Sequence, residues 1–216
     1  MRHIAKGVEP EFFAQWKRRN AKIVRECQWS EDSIPSEADR ERWKGMRRRL
    51  KTDMIEREQG YLCCYCESRI AADTSEIEHI CPRSKCRPLC FAYSNLLVSC
   101  TKTSHCNHHK GSQYDERKFV SPLQSDSATQ FRYLPDGSVE ANGDSEAAME
   151  TIRILNLNAR NLREKRELAM LTVENSDDGT RQWWLEACRQ PSTSELPQFC
   201  SAIIDYITRN FGEISR

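Results

Sequence analysis

Between Cys63 and Ser112 the chain reads, in turn, CCYCES, EIEHICPRS, SNLLVSC and HCNHHKGS. Two pairs of cysteines flank a Glu-His dipeptide, and an asparagine follows the last cysteine. Soft thiolates held in two close pairs suit a tetrahedral zinc ion, whereas a carboxylate, an imidazole and an amide suit a magnesium ion engaged in hydrolysis. Both are expected here: structural Zn2+ for shape, and a second divalent ion, Mg2+ or Mn2+, for chemistry.

Cys63 and Cys66 have the two-residue gap that lets both sulfurs of one tight turn face an ion, and Cys100 and Cys106 form a looser second pair. Two alternatives stay open at this point: Cys64 in place of Cys63, and His105 in place of Cys106. The competing reading is that these are buried small apolar side chains, as free cysteines often are. Cys81, Cys86 and Cys90 also lie close together, without an evident fourth ligand for a second metal.

Hydrolysis of a phosphodiester needs a deprotonated water and a way to stabilise the departing oxyanion, which one histidine and one divalent ion can supply. His79 is the candidate base, because an ordinary imidazole accepts a proton near neutral pH. Glu78 offers a hard oxygen to the ion and Asn107 a second from the opposite wall. Adjacent residues of a regular strand point to opposite faces, so the strand must end or bulge at Glu78-His79 for both to serve one site. Asn107 and Lys110 are three apart on a helix, which places Lys110 to meet a phosphate. His108 and His109 are weaker candidates, the latter nearer the zinc.

The elements that must position these residues follow from periodicity. Phe12, Phe13, Trp16, Ile23 and Val24 predict an amphipathic helix over Glu9–Glu26 with Pro10 in its first turn. Ser36 is a candidate N-cap, with Asp39 three residues on, for a helix over Glu37–Glu58 that Gly60 stops. That helix sets Arg40, Arg42, Lys44, Arg47, Arg48, Arg49, Lys51 and Arg57 against Glu41, Asp53 and Glu56, either as a solvated face or as a phosphate-binding one.

Strands are predicted over Ser75–Ile80 and Leu96–Ser99, joined by a basic loop over Pro82–Ser94 in which Arg83, Lys85 and Arg87 border the substrate, and a helix starts near Cys106. Pro135-Asp136-Gly137 predicts a hairpin. Ser145–Val173 predicts two helices with Asn158 capping the second. Asp177-Asp178-Gly179 marks a loop, and terminal helices run over Gln182–Cys188 and Leu196–Phe211. Trp16, Trp43, Trp183 and Trp184 are read as core. The predicted class is α+β, a mainly helical chain around a small zinc-supported core. Its segments are an N-terminal helical one (1–60), the core (61–112) and a C-terminal scaffold or partner region (113–216).

Charged residues make up 30% of the chain, yet 33 basic side chains face 32 acidic ones, so any nucleic-acid footprint must be local. The opening MRHIAKGVEPEF lacks the apolar run of a signal peptide, and no stretch approaches the roughly 18 apolar residues of a membrane span. A cytoplasmic protein without membrane contact is expected. In that compartment 11 cysteines with CxxC spacing argue for reduced thiols and metal rather than disulfides.

CxxC, an acidic residue before His at a strand end, NLL, then CN followed by two residues and KG resembles an HNH endonuclease of the ββα-metal, treble-clef-like type. More narrowly, the spacing to ILNLNARNLREKR resembles the HNH nucleases of Septu and retron-associated antiphage defence systems, the PtuB-like proteins. The resemblance implies a nucleic-acid substrate, DNA or RNA. It also implies an ATPase partner and, in some systems, a retron reverse transcriptase with its DNA-linked RNA. Asn95 matches the middle asparagine of the motif, which implies that it pins the long loop by amide hydrogen bonds. The rival reading is a non-catalytic zinc module for nucleic-acid binding or protein docking, which leaves Glu78, His79 and Asn107 unexplained. A third is a thiol redox protein.

Overall fold

The computed structural model describes residues 1–34 and 36–212. Helix α1 (Glu11–Arg19) begins directly after Pro10, whose extended backbone precedes the first turn. The single helix predicted over Glu9–Glu26 is in fact two. Asn20 leaves helical geometry and its side-chain amide donates to the Trp16 carbonyl, an alternative hydrogen bond that ends α1 before α2 (Ala21–Arg25) starts.

Helix α3 (Glu37–Met54) starts where Ser36 Oγ accepts from the Asp39 amide, while its hydroxyl donates to the Asp39 carboxylate. It buries Trp43, Met46, Leu50 and Met54, a stripe of three- and four-residue steps that faces the core and leaves most of the basic side chains outside. A π turn over Ile55–Gln59 extends it to Gly60. Gly60 has φ +57°, and a Cβ there would meet Leu196 Cδ1 at 2.5 Å, so both conformation and packing require glycine.

Strands β1 (Ser75–His79) and β2 (Leu96–Cys100) pair antiparallel, with Ser75 opposite Cys100 and His79 opposite Leu96. β2 is buried on both faces, which its LLV run anticipates; each such side chain contributes about 1.5–3 kcal/mol of burial. The buried amide of Gln59 bonds both the N–H and the carbonyl of Val98, tying the end of the π turn to this strand. The loop between the strands holds two 3-10 turns, Arg87–Leu89 and Tyr93–Asn95. After β2 the chain makes one helical turn, α4 (Asn107–Lys110), entered through Cys106 at φ +62°.

The expectation that all thiols are reduced does not hold. Cys27 is bonded to Cys90 and Cys81 to Cys86, so four of the 11 cysteines form disulfides that fasten the loop to itself and to the end of α2. The Cys81, Cys86 and Cys90 group is accounted for in this way.

The predicted hairpin is β3 (Phe131–Tyr133) with β4 (Val139–Ala141), and Gly137 turns it at φ +75°. Helices α5 (Glu146–Leu155) and α6 (Arg160–Glu174) follow. Asn158 does not cap α6; its amide bonds both the N–H and the carbonyl of Val139, docking the inter-helix corner on β4. Asp177 is an N-cap rather than a loop residue, accepting from the Thr180 amide to start α7 (Asp178–Cys188). Helix α8 (Cys200–Phe211) starts later than Leu196 because Pro197 and the left-handed Phe199 precede it.

One buried cluster runs through all three chain segments, from Phe13, Trp43 and Leu50 through Leu96 and Val98 to Leu155, Met170 and Tyr206. A smaller one, including Val173, Leu185 and Ile203, joins α6 to α8. The architecture is α+β, and no helix among the described residues is long and apolar enough to cross a membrane. Trp43 is fully buried in the core, whereas Trp183 on α7 is exposed.

Candidate metal centre and active site

Cys63, Cys66, Cys100 and Cys106 meet in the buried space between the turn after Gly60, the end of β2 and the start of α4. Their sulfurs all lie within 4.8 Å of one another, with Cys63 to Cys106 at 3.9 Å and Cys66 to Cys100 at 4.0 Å. A tetrahedron with metal–sulfur bonds of about 2.3 Å has sulfur–sulfur edges of about 3.8 Å, so the four thiols fit a zinc ion.

Cys64 is buried outside this group, with its amide donating to Val98. His105 is also outside it, its Nδ1 3.1 Å from the Cys106 sulfur. Burial pushes Cys63 up, but its contacts with Cys100, Cys106, Cys64 and Cys66 outweigh that and hold it well below an ordinary thiol. The Cys106 thiol is pushed well up by burial and by the same neighbours. Such a cluster sheds its remaining protons when a cation enters.

His79 closes β1 as its last residue, which removes the alternation problem: both Glu78 and His79 line one open cavity of about 780 Å³. The Nε2 of His79 lies 2.9 Å from the Cys90 carbonyl oxygen. A ring nitrogen facing a carbonyl carries the proton, which leaves the lone pair on Nδ1. Burial, reinforced by the charges of Arg83, Lys110 and Arg47 and opposed by the Cys90 hydrogen bond, pushes the imidazole down to about 4. The ring is neutral at physiological pH, and Trp29 packs edge-on against it at 4.8 Å.

Glu78 is buried, and its Oε1 accepts from Tyr65 at 2.7 Å and from the Lys110 ammonium at 2.5 Å. Burial raises the Glu78 carboxyl, with Lys110 and Tyr65 opposing that rise. Lys110 is 1% exposed and also donates to the His79 carbonyl at 2.9 Å. The placement of Lys110 against a phosphate is therefore corrected. Its short helix turns inward, and the ammonium holds the Glu-His dipeptide rather than reaching solvent.

Asn107 faces the same cavity and donates from Nδ2 to Glu76 Oε1 at 2.7 Å. His108 Nε2 lies 2.8 Å from that same oxygen. Glu76 is thus a third polar wall of the site, and the sequence reading missed it. The signal was the EIE step: residues two apart on a strand share a face, so Glu76 accompanies Glu78. His109 lies away from the thiol cage, with Nδ1 2.8 Å from the Ile154 carbonyl, and so fastens α4 to α5.

Asn95 spans the base of the loop, accepting from the Cys81 amide at 2.8 Å and donating to the Cys81 and Leu89 carbonyls at 3.0 and 3.3 Å. Arg83 and Pro82 line the cavity, as do Arg47, one residue of the basic helix read as a solvated or phosphate-binding face, and Trp29, to which the sequence assigned no role in the site.

Among the described residues, the four cysteines alone form a close cluster of His, Cys, Asp and Glu ligand atoms. The oxygen donors of Glu76, Glu78 and Asn107 line a cavity instead of closing a cage. Magnesium is held in that way, by one or two carboxylates with water and substrate oxygens completing its shell, so these residues fit it.

No protein-family model matches the chain. Among curated proteins, "Retron Vc95 putative HNH endonuclease" of Vibrio cholerae serotype O1 biovar El Tor is 32% identical over 132 residues. The match spans 56% of this chain and 63% of that protein. The chain is similar to a retron-associated HNH endonuclease.

Proposed function

We propose that the chain is a metal-dependent endonuclease that hydrolyses phosphodiester bonds, built as a ββα-metal unit from β1, β2 and α4 over a structural zinc. The observation that carries the reading is the 2.9 Å approach of His79 Nε2 to the Cys90 carbonyl at a cavity that His79 lines with Glu78 and Asn107: a ring that donates to that carbonyl keeps its lone pair on Nδ1. That nitrogen takes the proton of an attacking water. Trp29 and the Cys90 carbonyl fix the ring plane, and Lys110 holds the Glu78 carboxylate in place.

Glu78 and Asn107, joined by Glu76, are the residues that would hold Mg2+ or Mn2+, with His108 beside them. When bound, the ion supplies charge to stabilise the scissile phosphate and the leaving oxygen. Asn95 acts through the loop and not on the reacting atoms. Cys63, Cys66, Cys100 and Cys106 would hold zinc.

The printed name of the Vibrio relative supports a retron setting for this chain. In that setting the protein is the effector of an antiphage defence system, cytoplasmic, acting with an ATPase subunit and with a retron reverse transcriptase and its DNA-linked RNA. The test is cleavage of labelled plasmid DNA and of total cellular RNA, with and without magnesium, by the native chain and by His79→Ala, each alone and with the proposed ATPase subunit. Magnesium-dependent cutting that His79→Ala abolishes supports the assignment. Equal inertness of both proteins in every combination, with nucleic-acid binding retained, would favour a docking module.

A further inference from the structure

Two arginines line the His79 cavity, Arg47 from α3 and Arg83 from the loop after Pro82. Neither forms an ion pair among the described residues, although three carboxylates, Glu31, Glu76 and Glu78, line the same cavity, the last of them held by Lys110. Glu31 is engaged by Lys44 at 2.7 Å, and Glu76 by Asn107 and His108. The Arg47 Nε is buried and has no hydrogen-bond partner.

The Arg47 guanidinium lies 5.5 Å from the ring centres of both Trp29 and Trp43, so its direction is set by aromatic packing. Burial, followed by the charge of Arg83, pushes its pKa down. Two guanidinium groups that share a cavity without a direct ion-pair partner repel each other, an anion between them relieves that repulsion, and their planar forks match phosphate oxygens. Arg47 also lines a neighbouring cavity with Arg48 and Lys51, which continues the positive wall away from His79.

The geometry points to Arg47 and Arg83 as a two-armed clamp for one backbone phosphate of the nucleic-acid substrate, next to the bond that His79 addresses. The clamp rests on the nuclease reading for its substrate, and it assigns a role to one residue of the basic helix that composition alone left open. Arg47 and His79 both pack against Trp29. Strand position and base orientation are therefore coupled through one indole.

The experiment uses the full zinc-loaded chain carrying His79→Ala, so that substrate survives. It measures binding of a short fluorescein-labelled DNA duplex and of the RNA of the same sequence across a salt series. Arg47→Ala and Arg83→Ala should each weaken binding about tenfold and lower the salt slope by about one. The double variant should lose less than the product of the two, because both arms serve one phosphate. Arg47→Lys, which keeps an aliphatic stem against Trp29 and Trp43, should fall in between, with an unchanged melting temperature. Arg57→Ala, which removes a side chain paired with Asp53, should bind like the parent.

Parent affinity and parent slope in both Arg47→Ala and Arg83→Ala would overturn the clamp while leaving the nuclease reading intact. No binding of DNA or RNA by the parent even at low salt would overturn both.

Discussion

The Nε2 of His79 is 2.9 Å from the carbonyl oxygen of Cys90, and the sulfur of Cys90 is bonded to Cys27, 63 residues away in sequence. One backbone carbonyl therefore selects the tautomer of the candidate base, and that carbonyl hangs from a cross-link to the end of α2. The loop over 81–90 is thus part of the site even where its side chains do not face the cavity.

A buried, neutral imidazole changes the acid side of the pH profile. An unperturbed histidine loses half of its base form near pH 6.5, whereas His79, held at about 4, keeps its lone pair well below that. Magnesium-dependent cleavage should show no limb between about pH 6 and 7; a midpoint in that window assigned to His79 would show a solvated ring. The same shift acts on stability. The folded pKa lies below the unfolded one, so stability is lost as pH falls from about 6.5 towards 4, by about 3 kcal/mol at most. Denaturant midpoints at about pH 7 and pH 5 should differ more for the native chain than for His79→Ala.

The Cys27–Cys90 cross-link closes a long loop and should stabilise the chain by about 2–4 kcal/mol. Cys27→Ser is expected to lower the unfolding midpoint and to slow cleavage, because the Cys90 carbonyl loses its anchor. Mass spectrometry after alkylation without reductant should find Cys27, Cys81, Cys86 and Cys90 protected and paired. Metal analysis should give about one zinc per chain. Two zinc ions with all four of these cysteines alkylated only after chelation would replace the disulfides by a second thiolate site.

Lys110 and Glu78 are a buried pair with side chains 1% and 3% exposed. Removing one partner strands the other, so Lys110→Met should cost about 3–5 kcal/mol, and Lys110→Met with Glu78→Gln should recover part of that. Chemical denaturation of the four proteins of this cycle checks it, and a single-variant cost below about 1 kcal/mol would mean that the pair is solvated.

Glu76 provides the contrast. It is half-exposed and bonded to Asn107 and His108, so Glu76→Gln should leave the unfolding midpoint unchanged while raising several-fold the magnesium concentration that half-saturates cleavage. An unchanged magnesium requirement would remove Glu76 from the ion site.

How much of this was legible depended on whether position was set locally. Ser36, Gly60 and the Pro135–Gly137 turn act within a few residues, and each appears where its local chemistry places it. The cysteine pairs were legible because ligand spacing is itself local, although choosing Cys63 over Cys64 required the cage. Asn158 and Lys110 were misplaced because their partners, Val139 and Glu78, are 19 and 32 residues away, and burial decides such contacts. Trp29, Arg47 and Tyr65 enter the site through packing of distant segments, for which no spacing rule exists. Cys27 gave no sign of its partner for the same reason.

The thiol cage joins three elements: the turn holding Cys63 and Cys66, the end of β2 at Cys100, and Cys106 at the start of α4. Asn107 and Lys110 follow Cys106 directly, so the position of the candidate site depends on the cage. Zinc withdrawal by a strong chelator should therefore lower the unfolding midpoint and abolish cleavage, and added magnesium should not restore it whereas added zinc should. Cys100→Ser should act like the chelator, while Cys188→Ser, in the separate α6–α8 cluster, should retain zinc and activity. A chain that contains no zinc as purified and keeps its midpoint in Cys100→Ser would show that the four thiols pack as buried apolar groups, and the ion's structural role would fall with it.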